Sequence, residues 1–457
     1  MKILEFPNTP PTPPLGKGGN YLLLPSLLRR GKGRLKNKTI LALGAESAGN
    51  FSVFSASPLI KGAGGIFFSD NFGDLLEEKN WHNFQKAVWE FLRKNKLKPD
   101  IILTDLHPLY KTTVWGAELA KKYKAEHIQV QHHIAHIFSA IGEKLIIEDN
   151  FKFKISNLKF SNAVGIALDG TGYGLDGKIW GGEIFSLKAI SYKLKAIRIG
   201  HLENQVMIGG DLAVKEPARM LIAILAKIPP LIKGVRGIYS SRVKESLKNK
   251  QDFVYKYVKK YYMRNQFELL YNQLKQNFNC QETSSTGRIL DAVSLLLGFC
   301  GNERKYKHEP IDLLEQNSTS PYGNLKPKIN SYYNKELRIM PARQRQALAG
   351  GNYELHTTFL FEYLIKNLRK NKKRLAATAQ LYIAQGLYKI ITKFQIPNSK
   401  LPIFLSGGIS NNKIISNYLK SKGAYVHPVK LSRSEFNGVP RGDAGLSFGQ
   451  IIYQLIK

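Results

Sequence analysis

Short runs of hydrophobic residues alternate with longer amphipathic stretches along most of this chain. A short apolar run bounded by turn residues predicts a buried strand, whereas apolar positions spaced three or four apart predict a helix. The predicted strands are 39–44, 101–104, 127–130, 163–168 and 403–405. The predicted helices are 80–93, 113–124, 376–394 and much of 214–300. Strands interleaved with helices predict an α/β fold.

The same pattern predicts how the chain is divided. Residues 1–38 are rich in proline, glycine and basic residues, a composition that predicts a tail or linker. A first lobe is expected at 39–158 and a second lobe at 159–457, with the helical insertion at about 214–300 inside the second. A Pro-Leu element followed by Lys-Gly recurs at 14–19, 58–65 and 230–237, and each copy is predicted to be a surface-loop insertion.

Charge is the unusual feature of the composition. The 457 residues include 68 Lys+Arg and 34 Asp+Glu, so the net charge is +34, a balance typical of proteins that bind nucleic acids or anionic membranes. However, the lysine runs fall mostly on polar faces of predicted helices, and few aromatic residues are interleaved with them. The charge therefore predicts a solvated basic surface, and nucleic acid is not an expected partner.

Other classes are excluded by simple counts. The two cysteines cannot form a disulfide framework or a four-cysteine zinc site. No apolar run is long enough to span a membrane, and the first residues lack a signal-peptide core. We therefore expect a cytoplasmic protein with no membrane partner.

The first segment with chemical potential is 130–136, where three of the ten histidines fall within five positions. If a helix begins here, His132 and His136 are four residues apart and share one face. That spacing can bring two imidazoles to one metal ion, although ordinary histidines at a polar helix start would look the same. A metal site would also need acidic ligands.

Three further segments combine acids and glycines at the ends of predicted elements. Asp169 ends an apolar strand and is followed by Gly170-Thr171-Gly172-Tyr173-Gly174, a pattern that predicts a phosphate-binding hairpin. Gly407-Gly408 joins a strand to a helix expected at about Asn411, which is either a phosphate site or a simple turn. Asp443 lies at a predicted helix start, where an N-cap is the ordinary role.

Taken together, these motifs resemble the C-terminal carbamoyl-transfer region of the hydrogenase maturation carbamoyltransferases, the HypF family. The resemblance covers about 39–457 and includes Asp-Leu-His-Pro, Val-Gln-His-His, Trp-Gly-Gly-Glu, Gly-Gly-Asp, Glu-Pro-Ala-Arg-Met and Ser-Ser-Thr-Gly-Arg, at 105–108, 130–133, 180–183, 209–211, 216–220 and 284–288. It implies an α/β fold of two actin-like (ribonuclease H-like) lobes around a nucleotide cleft.

The resemblance also implies roles for individual residues. His132, His136 and Asp443 would be metal ligands, with Asp169 as a further acid at the same centre. The metal would be zinc or iron, with magnesium as a further candidate. Asp169 and His133 are the candidate catalytic residues. The expected nucleotide is ATP or carbamoyl-adenylate/AMP. The residues implied in its binding are Gly170, Thr171, Gly172 and Gly174, then Gly407 and Gly408 for phosphates, and Asn412 for adenosine.

By this resemblance, the chain is expected to transfer a carbamoyl group from carbamoyl-adenylate to the C-terminal cysteine of a HypE-like maturation protein. The acylphosphatase-like, zinc and YrdC-like domains of that family are not expected in this chain, so a separate YrdC-like adenylating protein would supply the substrate. Two alternatives are a transferase of the tRNA threonylcarbamoyladenosine type and a non-catalytic nucleotide-binding remnant. The +34 charge favours the first alternative, and the Glu-Pro-Ala-Arg-Met segment opposes it.

Overall fold

The computed structural model describes residues 2–3, 19–23, 38–60, 63–148, 162–190, 193–229, 241–332, 352–394, 401–426, 439 and 442–456. Most of the predicted tail, the predicted lobe boundary at 158/159 and the whole Lys-Gly segment 230–237 lie outside these ranges. The bounds of the tail and of the two lobes therefore stay a prediction.

The described residues form strands and helices in alternation, as the hydrophobic pattern predicts. The strands are β1 (Lys2–Ile3), β2 (Gly19–Leu23), β3 (Thr39–Ala42), β4 (Ser52–Ile60), β5 (Ala63–Ser69), β6 (Ile101–Asp105), β7 (Glu126–Val130), β8 (Asn162–Tyr173), β9 (Ile179–Ile190), β10 (Lys193–Leu202), β11 (Gln205–Ile208), β12 (Cys280–Thr283), β13 (Ile329–Tyr332), β14 (Asn352–Leu355), β15 (Ile403–Ser406) and β16 (Ala424–Val426). The helices are α1 (Glu78–Lys94), α2 (Lys111–Tyr123), α3 (His132–Glu148), α4 (Leu212–Lys215), α5 (Pro217–Lys227), α6 (Ser241–Val258), α7 (Arg264–Lys275), α8 (Thr286–Leu297), α9 (Glu309–Gln316), α10 (Thr357–Lys366), α11 (Lys372–Phe394), α12 (Lys413–Ser421) and α13 (Leu446–Ile456). Two short 3-10 turns lie at Gly408–Asn411 and Gly442–Gly445.

Two sheets repeat one topology. The first has the order β1-β2-β5-β4-β3-β6-β7, and the main path of the second is β13-β14-β10-β9-β8-β15-β16. In each sheet three consecutive strands form an antiparallel meander, β3-β4-β5 or β8-β9-β10, and two later strands run parallel to the first of the three. Because the central parallel strands are covered on both faces, β3, β6 and β15 are buried along their whole length.

The hairpin of β4 and β5 differs from the sequence expectation. Segment 58–65 was predicted to be a surface-loop insertion, but Ser55 pairs with Gly65 and Ile60 pairs with Ala63 across two antiparallel strands. Glycines and a lysine had suggested a loop because both residue types are depleted in strands. Residues 19–23 of the predicted tail also form a strand, which pairs with β5.

Helices α3 and α13 pack between the two sheets. Helix α3 contacts β8 and β15 of the second sheet, and α13 contacts β3, β4 and β6 of the first. The two helices cross closely at Gly449, where a Cβ would lie 1.9 Å from the carbonyl oxygen of Ala135. Phe448 on α13 lies against Phe68 with ring centroids 5.8 Å apart. This crossing brings the start of α3 and the turn before α13 to one place.

The predicted helical insertion is present as α4–α8, interrupted by β12, which pairs with β11. Its apolar stripes, including Met220, Leu221, Leu290 and Val293, belong to the large core beneath the second sheet. Among the helices that the structure describes, none is both long and apolar enough to cross a membrane.

Candidate functional site

Two imidazoles meet at the beginning of α3. The helix starts at His132, directly after β7, so His132 and His136 lie one turn apart on its buried side. Their Nε2 atoms are 3.2 Å apart. The four-residue spacing therefore places both imidazoles on one helix face, as the sequence predicts, with their ring planes at 83° to each other.

Asp169 approaches this pair from the second sheet. Leu168 pairs with Gly182 and Gly172 pairs with Trp180, so three residues of β8 oppose one residue of β9 and form a bulge. The bulge aims Asp169 at the histidines, and its Oδ2 lies 3.2 Å from His132 Nε2 and 3.0 Å from His136 Nε2.

Asp443 closes the cluster from the 3-10 turn before α13. Its Oδ1 lies 3.4 Å from His132 Nε2 and 3.3 Å from His136 Nε2. Its Oδ2 accepts a hydrogen bond from the hydroxyl of Ser47, which lies in the loop after β3. The sequence offered an N-cap as the ordinary role of Asp443, and the structure instead directs this carboxylate at the imidazoles.

The resulting ligand cluster consists of His132, His136, Asp169 and Asp443, whose donor atoms all lie within 4.8 Å of one another. The donor atoms facing each other are 3.0–3.4 Å apart. Metal–donor bonds of about 2.0–2.2 Å in tetrahedral or octahedral geometry separate neighbouring donors by about this distance. Two nitrogens and two carboxylate oxygens also suit zinc or iron. The donor set therefore fits a divalent cation, and its binding stays a prediction.

The charges in the cluster support each other. Burial alone would lower the pKa of His132, but contacts with Asp105, Asp169 and Asp443 raise it well above the ordinary value. Burial also opposes protonation of His136. The hydrogen bonds that its imidazole donates to Asp169 and Asp443 outweigh burial, so the pKa of His136 is also raised. The imidazoles hold the pKa of both carboxyl groups below the usual range, against the opposite effect of burial. Both carboxylates are thus ionised and available to a cation.

Asp105, to which the sequence motifs assign no role, also belongs to the site. It ends β6, and its Oδ2 accepts a hydrogen bond from Nδ1 of His132 at 2.7 Å. Its Oδ1 accepts from the backbone N–H of His107 at 2.9 Å. Donation from Nδ1 directs Nε2 of His132 at the cluster, so that release of the Nε2 proton would leave its lone pair to a cation, which is the arrangement of histidine ligands in metal sites. The sequence did carry a signal for Asp105. Like Asp169, it is an acid that follows an apolar run predicted to be a buried strand.

The predicted phosphate loops lie beside the ligand cluster. The backbone N–H of Gly170 donates a hydrogen bond to Asp169 Oδ1 at 2.7 Å. Thr171, the next residue of the bulge, is partly exposed. Gly172 and Gly174 provide room for rings: a Cβ on Gly172 would lie 2.4 Å from His133 Cε1, and one on Gly174 would lie 2.3 Å from Trp180 Nε1. These two glycines are therefore needed for packing, whatever they bind.

The second predicted turn, at 407–408, also faces the cluster. Gly407 has a φ of +89°, and a Cβ there would lie 2.2 Å from the carbonyl oxygen of Leu168. A Cβ on Gly408 would lie 3.2 Å from Asp169 Oδ1. The turn thus allows β15 and β8 to end side by side next to the ligand cluster.

His133 and Asn412 have mainly internal partners. His133 is fully buried, its Nδ1 lies 3.0 Å from Gln131 Nε2, and burial together with the charge of His132 lowers its pKa well below the ordinary value. Asn412 is buried and caps α12 by accepting from the N–H of Ile415, and its amide donates to Gln380. The predicted contact of Asn412 with adenosine is not tested by these bonds.

The Trp-Gly-Gly-Glu motif at 180–183 connects structural elements next to the site. Glu183 is fully buried and accepts from Ser284 Oγ and from Arg198 Nε. The guanidinium of Arg198 covers the Trp180 ring, with 4.2 Å from its central carbon to the ring centroid. These contacts join β9 and β10 to the segment that begins α8, and they give the motif a structural role.

Comparison with known protein families gives two matches. Residues 165–450 match the family described as "Carbamoyltransferase, Kae1-like Domain, second subdomain", and residues 35–143 match "HypF Kae1-like domain". The probable carbamoyltransferase HypF of Methanocaldococcus jannaschii is 34% identical over 433 residues, which are 92% of this chain and 47% of that protein. Carbamoyltransferase HypF of Rhodobacter capsulatus is 25% identical over 444 residues, or 95% of this chain and 50% of that protein. The chain thus spans about half the length of these curated relatives.

Solved structures show the same fold. Full-length HypF in a phosphate- and nucleotide-bound form superposes with a TM-score of 0.68 at 22% identity, covering 95% of this chain and 56% of that one. HypF of T. kodakarensis superposes with a TM-score of 0.68 at 27% identity, covering 92% of this chain and 48% of that one. These similarities confirm the two-lobed, actin-like α/β class that the sequence predicts.

Proposed function

The chain belongs to the HypF family of Kae1-like carbamoyltransferase domains, and from this premise we propose that it transfers a carbamoyl group from carbamoyl-adenylate to a cysteine thiolate. The acceptor would be the C-terminal cysteine of a HypE-like maturation protein, and AMP would leave. The observation that carries the proposal is the buried ligand cluster between the two sheets, flanked by the turns at 170–174 and 407–408.

His132, His136, Asp169 and Asp443 would hold the divalent cation, which we propose to be zinc or iron, with magnesium as a further candidate. When bound, such a cation can stabilise negative charge on a carbonyl oxygen as a Lewis acid. Asp105 would keep the ring of His132 oriented through the bond to Nδ1. The protein would thereby fix the position of the carbamoyl donor before the thiolate arrives.

Direct transfer fits the nucleophiles that the chain offers. Burial raises the pKa of the Cys300 thiol to about 11, and burial also raises the pKa of Cys280, so neither thiol is activated. In the proposed step, the acceptor sulfur forms a bond to the carbamoyl carbon, and the bond from that carbon to the phosphate oxygen breaks. The electron pair leaves with AMP, and the thiol proton has already gone to solvent.

The experiment supplies the donor and varies the acceptor. Carbamoyl phosphate, ATP and a separate YrdC-like adenylating protein would generate carbamoyl-adenylate in the presence of the chain and a HypE-like acceptor. We expect the acceptor to gain the mass of one carbamoyl group, and an acceptor with its C-terminal cysteine replaced by alanine to gain none. Transfer at the same rate without the chain would contradict the proposal.

A matched pair of histidine variants tests the site. We expect His132→Ala combined with His136→Ala to lose both bound metal and transfer. His82→Ala, on the exposed side of α1, should retain both. If the double variant kept its metal content, the assignment of the ligand cluster would be wrong.

The two alternatives predict other results in the same experiment. A nucleotide-binding remnant would bind AMP and transfer nothing to any acceptor. A tRNA-directed transferase, which the net charge of +34 favours, would bind tRNA with an affinity that falls steeply with salt. We expect weak binding to tRNA with no effect of tRNA on transfer to the protein acceptor.

A further inference from the structure

Two buried arginines lie beside the ligand cluster and take no part in the chemistry described above. Arg288 is in the first turn of α8, and its Nε donates to Asp291 Oδ2 at 2.7 Å. Arg304 donates to the same oxygen from a second direction. We call Arg288, Asp291 and Arg304 the arginine–aspartate triad.

The triad has one more positive than negative charge in a nearly dry place. The side chains of Arg288, Arg304 and Asp291 are 5%, 9% and 0% exposed. Buried guanidinium groups are stable when anions neutralise them and accept their hydrogen bonds, and here two share one carboxylate. An additional anion would complete the neutralisation.

Arg288 has the free donors with which to bind such an anion. Arg304 donates one hydrogen bond from Nη1 to the carbonyl oxygen of Lys307 and another from Nη2 to Asp291. Within the described ranges, NH1 and NH2 of Arg288 form no hydrogen bond, and its Nε alone is used. Two parallel N–H groups of a guanidinium match two oxygens of a phosphate or carboxylate.

The free edge of Arg288 faces the loop of the metal site. A Cβ built on Gly170 would lie 3.9 Å from NH2 of Arg288 and, in the part of the chain described, would meet no other atom within 4 Å. The space between Gly170 and Arg288 is therefore open. Gly170 is held next to the start of α8, because Ser285, which caps that helix, donates from its hydroxyl to the carbonyl oxygen of Gly170.

We propose that Arg288 binds the phosphate of the nucleotide in this open space, next to Asp169, and that Arg304 positions Asp291, which orients Arg288. The proposal rests on the proposed function, since the adenylate is taken as the ligand and its phosphate is the anionic group nearest the transferred carbamoyl. It would place the leaving phosphate between a guanidinium and the ligand cluster.

The test compares AMP with adenosine, which lacks the phosphate, by calorimetric titration of the full chain. We expect the wild type to prefer AMP, and Arg288→Met to weaken AMP binding by roughly 10- to 100-fold with adenosine binding unchanged. Arg288→Lys should fall between, because lysine keeps the charge and loses the paired donors. Arg264→Met, which removes an arginine on α7 paired with Asp252 and Glu268, should change neither affinity.

Several results would overturn the inference. If AMP and adenosine affinities fell by the same factor, Arg288 would have a structural role only. A wild type without preference for AMP, or a variant with the full preference, would also overturn it. If Arg288→Met did not fold, as judged by circular dichroism, Arg288→Lys would provide the same comparison.

The outcome is separable from that of the proposed function. An active wild type whose AMP preference survives Arg288→Met would overturn this inference alone. A wild type that transfers no carbamoyl group but loses its AMP preference upon substitution would overturn the transferase proposal alone.

Discussion

Replacing Asp105 by asparagine exchanges one carboxylate oxygen for an amide NH₂ group and tests how the metal site is held together. The carboxylate of Asp105 is completely buried and accepts two hydrogen bonds, from His132 Nδ1 and from the backbone N–H of His107. Asparagine has the same shape but only one acceptor oxygen. Its amide N–H₂ must therefore face one of the two donors, whichever way the side chain is turned.

The expected loss follows from these two bonds. A hydrogen bond from an imidazole to a buried carboxylate is charge-assisted, and its loss also removes the preference for the tautomer that leaves Nε2 free. Substitutions of such supporting carboxylates weaken metal binding by about 10–100-fold, which corresponds to about 1.4–2.7 kcal/mol at 25 °C. We expect Asp105→Asn to fall within this range and to remain folded.

The assay is a competition titration in which the chain and a chromophoric chelator of known affinity compete for Zn²⁺. Asp100→Asn is the matched control, because Asp100 lies just before the opposite end of β6 and accepts a hydrogen bond from the N–H of Thr39 at 2.8 Å. We expect the control to bind Zn²⁺ like the wild type. An unchanged affinity of Asp105→Asn, or an equal loss in both variants, would refute the reasoning.

Three further predictions concern packing and pH. Gly172→Ala would drive a Cβ into the adjacent imidazole and should cost about 1–3 kcal/mol of unfolding free energy in urea titrations. Gly323→Ala should cost much less, because no atom of the described residues would lie within 4 Å of its Cβ. Burial lowers the pKa of His201 to about 4, so unfolding takes up a proton and stability should fall by up to about 3 kcal/mol as pH drops from about 6.5 to 4. His201→Gln should flatten this part of the curve, and an unchanged slope would contradict the assignment. Phe448→Ala should destabilise the chain by about 3–5 kcal/mol because it empties a core position, and Leu109→Ala, at an exposed site, should have little effect.

The sequence predicts local structure well where one force dominates. Strands such as β3 and β6 are buried throughout, so a short apolar run is a sufficient signal. The face shared by His132 and His136 likewise depends only on helical geometry. The sequence does not predict the β4–β5 hairpin, because the lysine and glycines at 61–65 are residue types depleted in strands. The hairpin forms through pairing with neighbouring strands, which the local sequence does not show.

The site itself depends on contacts between distant segments, which local patterns cannot specify. The bulge that turns Asp169 toward the histidines is set by its register with β9, and the position of Asp443 is set by the crossing of α3 and α13. The family resemblance nominated both residues. The roles of Asp105 and of the arginine–aspartate triad depend on partners in the fold, which are His132 for Asp105 and Asp291 for the two arginines.

The net charge of the chain likewise does not reveal the charge at the candidate site. A chain with a charge of +34 has, at its candidate site, a buried group of three carboxylates around two imidazoles, formed by Asp105 and the ligand cluster. Nearby, the arginine–aspartate triad carries a buried excess of positive charge. A carbamoyl donor joined to a phosphate needs this separation, since a cation should face the carbonyl oxygen and a guanidinium should face the phosphate. The surface lysines that dominate the total are screened by salt over about 8–10 Å and cannot replace either contact. Activity should therefore respond strongly to a change of one buried charge in the site and weakly to the many exposed ones.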